Sequence, residues 1–386
     1  MKKLCFVTTV PGTLRAFVLP LAKYMHSLHS DWEISFICTV DEKFAAELPD
    51  YIRYIPVPMS RGIDFKGILT VLRLFKIFKK EKFDIVQYST PNASCYASIA
   101  SFFARVPVRL YAQWGIRYVG LSGLSRKIFK LIEKMVCMLS TDVRAVSRMN
   151  KAFAVNEGLY REQKAKIIGN GGTIGADMSV FDINKKDEWN KSVREKYGIS
   201  EDDFVFGFAG RISADKGCSE LLKAFKNVSE NHGNVKLLMI GSVDENNGLD
   251  AEIMEFANTC DSVVMTGRIE NVNMREYYSA MDVLVHPTYR EGFGMVIQEA
   301  GALAVPVITT KIPGASEVME DGVSCILAQP KDEKELENAM LKLLSDKELT
   351  KRIGEAAYNR TKELYDRPVM LKNQYESYVS ILNGDV

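Results

Sequence analysis

Two glutamates, Glu291 and Glu299, stand eight positions apart in the stretch HPTYREGFGMVIQEAGALAVPVITT (286–310), with Gly292 and Gly294 directly after the first. An acid/base pair, a metal clamp and a solvated surface are the alternatives, and spacing weighs among them. Were both residues helical, they would lie about 12 Å apart along the axis. That is wide for sharing one proton or one metal ion and suits two groups holding different parts of an extended ligand. Gly292 and Gly294 let the backbone come close to that ligand. A helix expected from Met295 adds N–H donors at its start, which favour an anion or hydroxyl acceptors.

A second constellation is FGFAGRISADKGCSELLKAF (206–225). A strand ends at Ala209-Gly210, Arg211 follows at its tip, and Lys216-Gly217 opens a helix. Two cations at a strand end beside a helix start suit phosphate oxygens. The four histidines add little. His26 and His29 are expected to be exposed on the first helix and His232 to end a helix, while His286 precedes Pro287 at the end of a site strand.

The elements that position these residues alternate along the chain. Strand-like runs at 4–10, 33–39, 52–57, 84–88 and 108–112 alternate with helical stretches such as Leu14–Ser30, Phe65–Lys82 and Ala93–Arg105. A second series at 204–210, 235–241, 262–267, 282–287 and 305–310 does the same. Continuous apolar runs are the mark of strands buried on both faces of a parallel sheet. The expected fold is therefore α/β: two Rossmann-like, doubly wound domains facing across a cleft, with ligands at the carboxyl ends of the strands. The glycine-rich stretch GNGGTIGADMSVF (169–181) marks the linker. The expected domains are 1–170 and 171–367, with a helix over 368–386 packing back on the first.

Composition is that of a globular protein, 47% apolar and 26% charged over 386 residues. No stretch approaches the roughly 20 apolar residues of a membrane span. The start, MKKLCFVTTVPGTLRAF, reads as a buried strand rather than a signal peptide, since its apolar run is short and Arg15 breaks the stretch after it. Seven scattered cysteines without a CxxC fit reduced thiols in a cytosolic protein. The net charge of +1 hides an asymmetry: residues 1–170 carry 26 Lys/Arg against 13 Asp/Glu, and the remainder 24 against 36. The basic half favours an anionic surface or substrate. No recognition motif accompanies the charge, so nucleic acid is not expected.

The second half, in GFAGRISADKG and in MTGRIENVNMREYYSAMDVLVHPTYREGFGMVIQEAGALAVPVITTKIPGASEVMEDGVSCIL, resembles the nucleotide-sugar domain of family-4 retaining glycosyltransferases of the GT-B fold. FDIVQYSTPNA and LYAQWGI carry a looser likeness in the first half. The resemblance implies that Gly210, Arg211 and Lys216 hold a donor diphosphate and that Glu299 accepts hydrogen bonds from the ribose. It implies that Glu291, with the backbone of Gly292, Phe293, Gly294 and Met295, holds the donor sugar, and that Arg268 and Ile269 seat the base. Arg211, Lys216 and Glu291 would be the catalytic groups. The loop at Gly12 and Thr13 would approach the phosphates or the acceptor. UDP is the favoured nucleotide by family habit. With no Asp-x-Asp in the sequence, neither metal nor other cofactor is expected, and the two cations assist departure of the nucleotide.

Relatives often carry histidines near the ends of the fourth and fifth strands, where this chain has Gln87, Ser89 and Gln113-Trp114-Gly115. Neither Gln nor Trp is a general base. Either no base is needed or Gln113 hydrogen-bonds sugar or phosphate; a structural or acceptor-facing role for Gln113 and Trp114 stays open. FKGILTVLRLFKIFKKEKF (65–83) and LSRKIFKLIEKMVCML (124–139) are basic and amphipathic, suited to an anionic membrane or to packing on the sheet. The leading expectation is a cytoplasmic enzyme, peripheral on the inner leaflet, that extends a polyprenyl-diphosphate-linked glycan for a cell-surface polysaccharide. A nucleotide-sugar 2-epimerase and a non-catalytic sugar-nucleotide-binding subunit are the rivals.

Overall fold

The structure, a computed structural model, describes residues 2–59, 66–244 and 248–384. The chain divides into two compact units. One comprises Met1–Ile174 with Met370–Val386, the other Gly175–Val369.

The first unit is built on seven parallel strands: β1 (Lys3–Val7), β2 (Glu33–Cys38), β3 (Ile52–Pro56), β4 (Ile85–Tyr88), β5 (Val108–Gln113), β6 (Asp142–Ala145) and β7 (Ala165–Lys166). Their order is β3-β2-β1-β4-β5-β6-β7. Cys5, Val7, Val86, Tyr88, Tyr111, Val143 and Ala145 point to one face, into a core shared with Leu74, Phe78 and Ala97 of the covering helices. Alternate residues point to the other face, which is why the strands read as unbroken apolar runs. The helical stretch after β1 is interrupted by a π turn over Leu14–Val18 before it continues as Leu19–Leu28. In the helix Arg367–Asn383, Tyr378 donates its hydroxyl to Gln87, Gln374 Nε2 donates to the Thr173 carbonyl at 3.1 Å, and Tyr375 meets His29 Nε2 at 2.6 Å. His26 stacks on Tyr51 at 3.6 Å and His29 on Trp32 at 4.5 Å. Both rings are half-buried, so the expectation that they are exposed is corrected: flat aromatic neighbours cover them.

The second unit has six parallel strands: β8 (Phe204–Ala209), β9 (Val235–Ile240), β10 (Val263–Gly267), β11 (Val283–His286), β12 (Val307–Thr310) and β13 (Ile326–Ala328), ordered β10-β9-β8-β11-β12-β13. Both sheets follow the doubly wound order, with the reversal at β1/β4 and at β8/β11. Ligands bind at such reversals, outside the carboxyl ends of the strands. At the opposite, amino ends of these two strands the half-exposed Asp282 ties β11 to β8: its Oδ2 accepts from Val205 N at 2.7 Å and from the buried Arg194 at 2.8 Å.

Candidate functional site

The polar residues of the second unit gather at the β8/β11 reversal. β8 delivers Gly210 and Arg211; a short 3-10 turn, Ala214–Lys216, then leads through Gly217 into the helix Cys218–Asn231. β11 delivers His286 and the loop that carries Glu291. The two loops are locked together. Tyr289 N donates to the Asp215 carbonyl at 3.0 Å. Gly217 has φ +71°, and a Cβ there would stand 2.0 Å from the Pro287 carbonyl oxygen, so only glycine allows this approach.

The lock brings Lys216 Nζ to 2.8 Å from Glu291 Oε2. His286 Nε2 lies 3.2 Å from the same oxygen, and the ring is 2% exposed. Burial lowers the pKa of His286 despite the carboxylate beside it, with Lys216 pushing the same way. At neutral pH the ring is therefore neutral and holds Glu291 by donating Nε2–H. Burial opposes ionisation of Glu291, but the His286 hydrogen bond and the Lys216 charge outweigh it and hold the carboxyl well below the usual range. Glu291 is thus an ionised acceptor at neutral pH and has no proton to give.

Arg211 is half-exposed and divided between Asp244, at 2.5 Å, and Asp215, at 3.3 Å. Asp215 also faces Arg290 at 3.6 Å and accepts from Ser213 Oγ at 2.6 Å. Burial opposes its ionisation; the Ser213 hydrogen bond and the surrounding cations prevail and keep its pKa low. Arg211 is thus held by carboxylates that an incoming anion must displace.

The helix Met295–Ala302 begins where expected, after Gly294. Gly314, at φ +87°, presses against this loop; a Cβ there would fall 2.3 Å from the Gly292 carbonyl oxygen. Phe293 is buried edge-on against Tyr365, anchoring the loop from below. Glu299 projects from the helix, partly buried, and accepts from Tyr278 Oη at 2.9 Å. Burial pushes its pKa up to about 7, against that hydrogen bond and the Arg367 charge. Among the described residues Glu291 and Glu299 share no hydrogen-bond partner. Arg268 is exposed and Ile269 half-buried on the loop after β10, where the Gly267 carbonyl accepts from Gly241 N at 2.9 Å. The geometry offers cations for a polyanion, one acceptor ionised at neutral pH, and a second acceptor whose pKa lies at about 7. Among the described residues no three His, Cys, Asp or Glu side chains gather as metal ligands do.

In the first unit, Gly12 is exposed and Thr13 half-buried in the turn Pro11–Thr13 after β1. Gln113 sits elsewhere than a surface role requires. It is 1% exposed, its Nε2 donates to Glu133 Oε1 at 2.7 Å, and its Oε1 accepts from Tyr160 at 2.9 Å. Both ends of the amide are consumed inside the unit, so the structural reading of Gln113 is the one the packing favours. Trp114 is half-buried and tilted against Phe17 at 5.3 Å. Asp215, Asp244, Tyr278 and His286 escaped the sequence reading as partners. Asp215, four residues after Arg211, and His286, five before Glu291 at the end of a site strand, left a local signal.

A family model described as "Glycosyl transferases group 1" matches residues 190–360, and one described as "Glycosyl transferase 4-like" matches residues 3–147. The chain is 31% identical over 353 residues to the capsular polysaccharide biosynthesis glycosyltransferase CapM of Staphylococcus aureus, covering 90% of this chain and 91% of that one. The chain belongs to the family-4-like glycosyltransferases of the GT-B fold. The glycosyltransferase is also 25% identical to the UDP-Gal:alpha-D-GlcNAc-diphosphoundecaprenol alpha-1,3-galactosyltransferase of Escherichia coli, over 83% of this chain and 82% of that one. Its fold superimposes on HepE of Anabaena, solved with UDP and glucose, with a TM-score of 0.79 at 21% identity, covering 98% of this chain and all of that one.

Proposed function

We propose that this glycosyltransferase moves a sugar from a UDP-sugar, with retention of anomeric configuration, to a hydroxyl of a glycan carried on polyprenyl diphosphate, in the synthesis of a cell-surface polysaccharide. The observation that carries the reading is the Lys216–Glu291–His286 cluster at the β8/β11 reversal, beside Arg211. Arg211 and Lys216 meet the charge that grows on the departing UDP, so that no metal is needed for it. Glu299 accepts from the ribose. Glu291, held ionised, accepts from hydroxyls of the donor sugar, with the backbone from Gly292 to Met295 beside it. The bond from the anomeric carbon to the phosphate oxygen breaks as the acceptor oxygen bonds to that carbon on the same face. The departing phosphate takes the acceptor's proton. Gln113, locked to Glu133 and Tyr160, supplies no base, which agrees with this route. The UDP-bound structure of HepE and the undecaprenol-linked substrate of the E. coli relative support the choice of donor and acceptor. Membership in the transferase family favours transfer over epimerisation.

The reading extends to a membrane surface. The helices Lys66–Glu81, Pro91–Ala104 and Gly123–Leu139 pack side by side in the first unit. They expose Ile68, Leu69, Leu72, Phe103, Leu124 and Leu131. Lysines and arginines interleave, as in Arg126, Lys127, Lys130 and Lys134. Phe65, at the start of the first segment, lies outside the described residues. Among the described residues no helix is long and apolar enough to cross a membrane. Peripheral binding to an anionic cytoplasmic leaflet fits this face.

The test is sugar transfer, followed by mass spectrometry, from a panel of UDP-, GDP- and ADP-sugars to a short-chain polyprenyl-diphosphate N-acetylglucosamine, with and without EDTA. A UDP-sugar is expected to be consumed only with acceptor, EDTA to leave the rate unchanged, and NMR of the product to show the donor's anomeric configuration. An inverted product, or donor conversion without acceptor, contradicts the proposal.

A further inference from the structure

Arg144 lies on β6, on the opposite face from Val143 and Ala145. It is 7% exposed, and its Nε and Nη1 reach no hydrogen-bond acceptor among the described residues. Burial lowers its pKa, yet a guanidinium stays charged in a protein. Asp142, two residues earlier, attracts it from a distance without accepting a hydrogen bond. A buried cation with orphaned donors is costly unless a partner arrives. A second arginine buried among the described residues, Arg194, is answered by Asp282 at 2.8 Å and by the carbonyls of Ser200 and Asp203 at 3.1 and 2.9 Å. Arg194 thus leaves only its Nε without a partner, whereas Arg144 leaves Nη1 as well.

Arg144 lines a small pocket, open to solvent, that lies wholly within the first unit and has about 30 Å³ of room for water-sized groups. Phe17, Gln87, Trp114, Thr173 and Tyr378 are among its walls. Tyr378 already engages the Gln87 carbonyl, so Arg144 is the donor left without a partner there. The half-buried Trp114 ring, propped on Phe17, offers an apolar face beside it. The ends of β4, β5 and β6 surround the pocket, at the edge where sheets of this kind hold ligands.

We propose that this pocket is an anion subsite for the acceptor: Arg144 takes the oxygens of an acceptor phosphate or carboxylate, and Trp114 packs against the adjoining sugar or prenyl carbons. Naming the ligand as the acceptor rests on the glycosyl-transfer reading; the anion site itself does not. The shared chemistry is an anionic oxygen group, found either in a diphosphate bridge or in an acidic sugar.

Calorimetric titration of the full chain, saturated with UDP, with geranyl diphosphate, octyl glucuronide and the neutral octyl glucoside tests the proposal. At least one anionic probe is expected to bind about tenfold or more tighter than the glucoside, and the one that does so names the source. Arg144→Met removes the preference, Arg144→Lys retains part of it, and UDP affinity is unchanged in both. Because the free guanidinium is unpaired, Arg144→Met is expected to melt at or above the wild-type temperature. Equal binding of all three probes, a preference that survives Arg144→Met, or a large fall in melting temperature overturns the proposal. If UDP itself does not bind, the donor reading fails, and the same titrations without UDP still decide Arg144.

Discussion

Replacing Lys216 by Ala removes the ammonium that sits 2.8 Å from Glu291 and, in the proposed complex, on the nucleotide's phosphate. The two side chains are 18% and 20% exposed, so solvent compensates little for the lost charge. A hydrogen bond from a charged donor contributes about 1.5–3 kcal/mol, so UDP affinity is expected to fall by about 10- to 150-fold. At a UDP concentration 100 times the wild-type dissociation constant, wild type gains about 2.7 kcal/mol of stability, and the mutant gains only about 0.3–1.4 kcal/mol. For a unit the size of Gly175–Val369, this is a shift of about 5–10 °C in wild type and about 1–5 °C in the mutant. Each protein's own ligand-free melting temperature serves as its baseline, which separates the lost ion pair from the lost ligand contact. A thermal melt with UDP, GDP and ADP reads the result. A Lys216→Ala protein that keeps the full UDP shift refutes the placement of Lys216 on the phosphate.

Glu299, with its pKa at about 7, should make the proposed donor site pH-dependent: affinity for UDP-glucose, whose phosphates do not titrate near neutrality, should rise from pH 6 to 8, and Glu299→Gln should flatten the slope. Tyr278→Phe removes the hydrogen bond that favours the ionised form and should move the midpoint of that rise upward by about one pH unit. In Glu291 the sign is opposite: its depressed pKa stabilises the fold above the unfolded value of about 4.3, a contribution lost as pH falls through the folded value. Acid unfolding of Glu291→Gln should accordingly be shallower than that of wild type. Gly217→Ala forces a methyl against the Pro287 carbonyl oxygen and should cost about 2–4 kcal/mol in urea melts, whereas Gly12→Ala, with open space around it, should stay within about 0.5 kcal/mol. Anionic vesicles should sediment the protein at low salt but not at high salt, and Leu124→Glu with Leu131→Glu should weaken that binding. Binding unaffected by the double substitution would count against the helix face as the docking surface.

The long apolar strands were legible because burial on both faces leaves unbroken hydrophobic runs, as in Phe204–Ala209 and Val235–Ile240. β6, β7 and β13 were missed. They are two to four residues long, and β6 and β7 carry Asp142, Arg144 and Lys166, which break the pattern. The start of the helix at Met295 was legible from its glycines, and the separation of Glu291 from Glu299 from helical rise. Partners joined only by the fold were not: Asp244 lies 33 residues from Arg211, Lys216 75 from Glu291, and Glu133 20 from Gln113. Local pattern carries no record of such pairs, and for that reason Gln113 looked available while its amide is spent in the core.

The most direct measurement is a crystal structure of the full chain with UDP. The expected result places the diphosphate within hydrogen-bond distance of Lys216 Nζ and of Arg211 drawn away from Asp244, with the ribose hydroxyls on Glu299. UDP bound away from the β8/β11 reversal, or Lys216 still closed on Glu291 with the phosphates out of reach, would contradict the donor site described above.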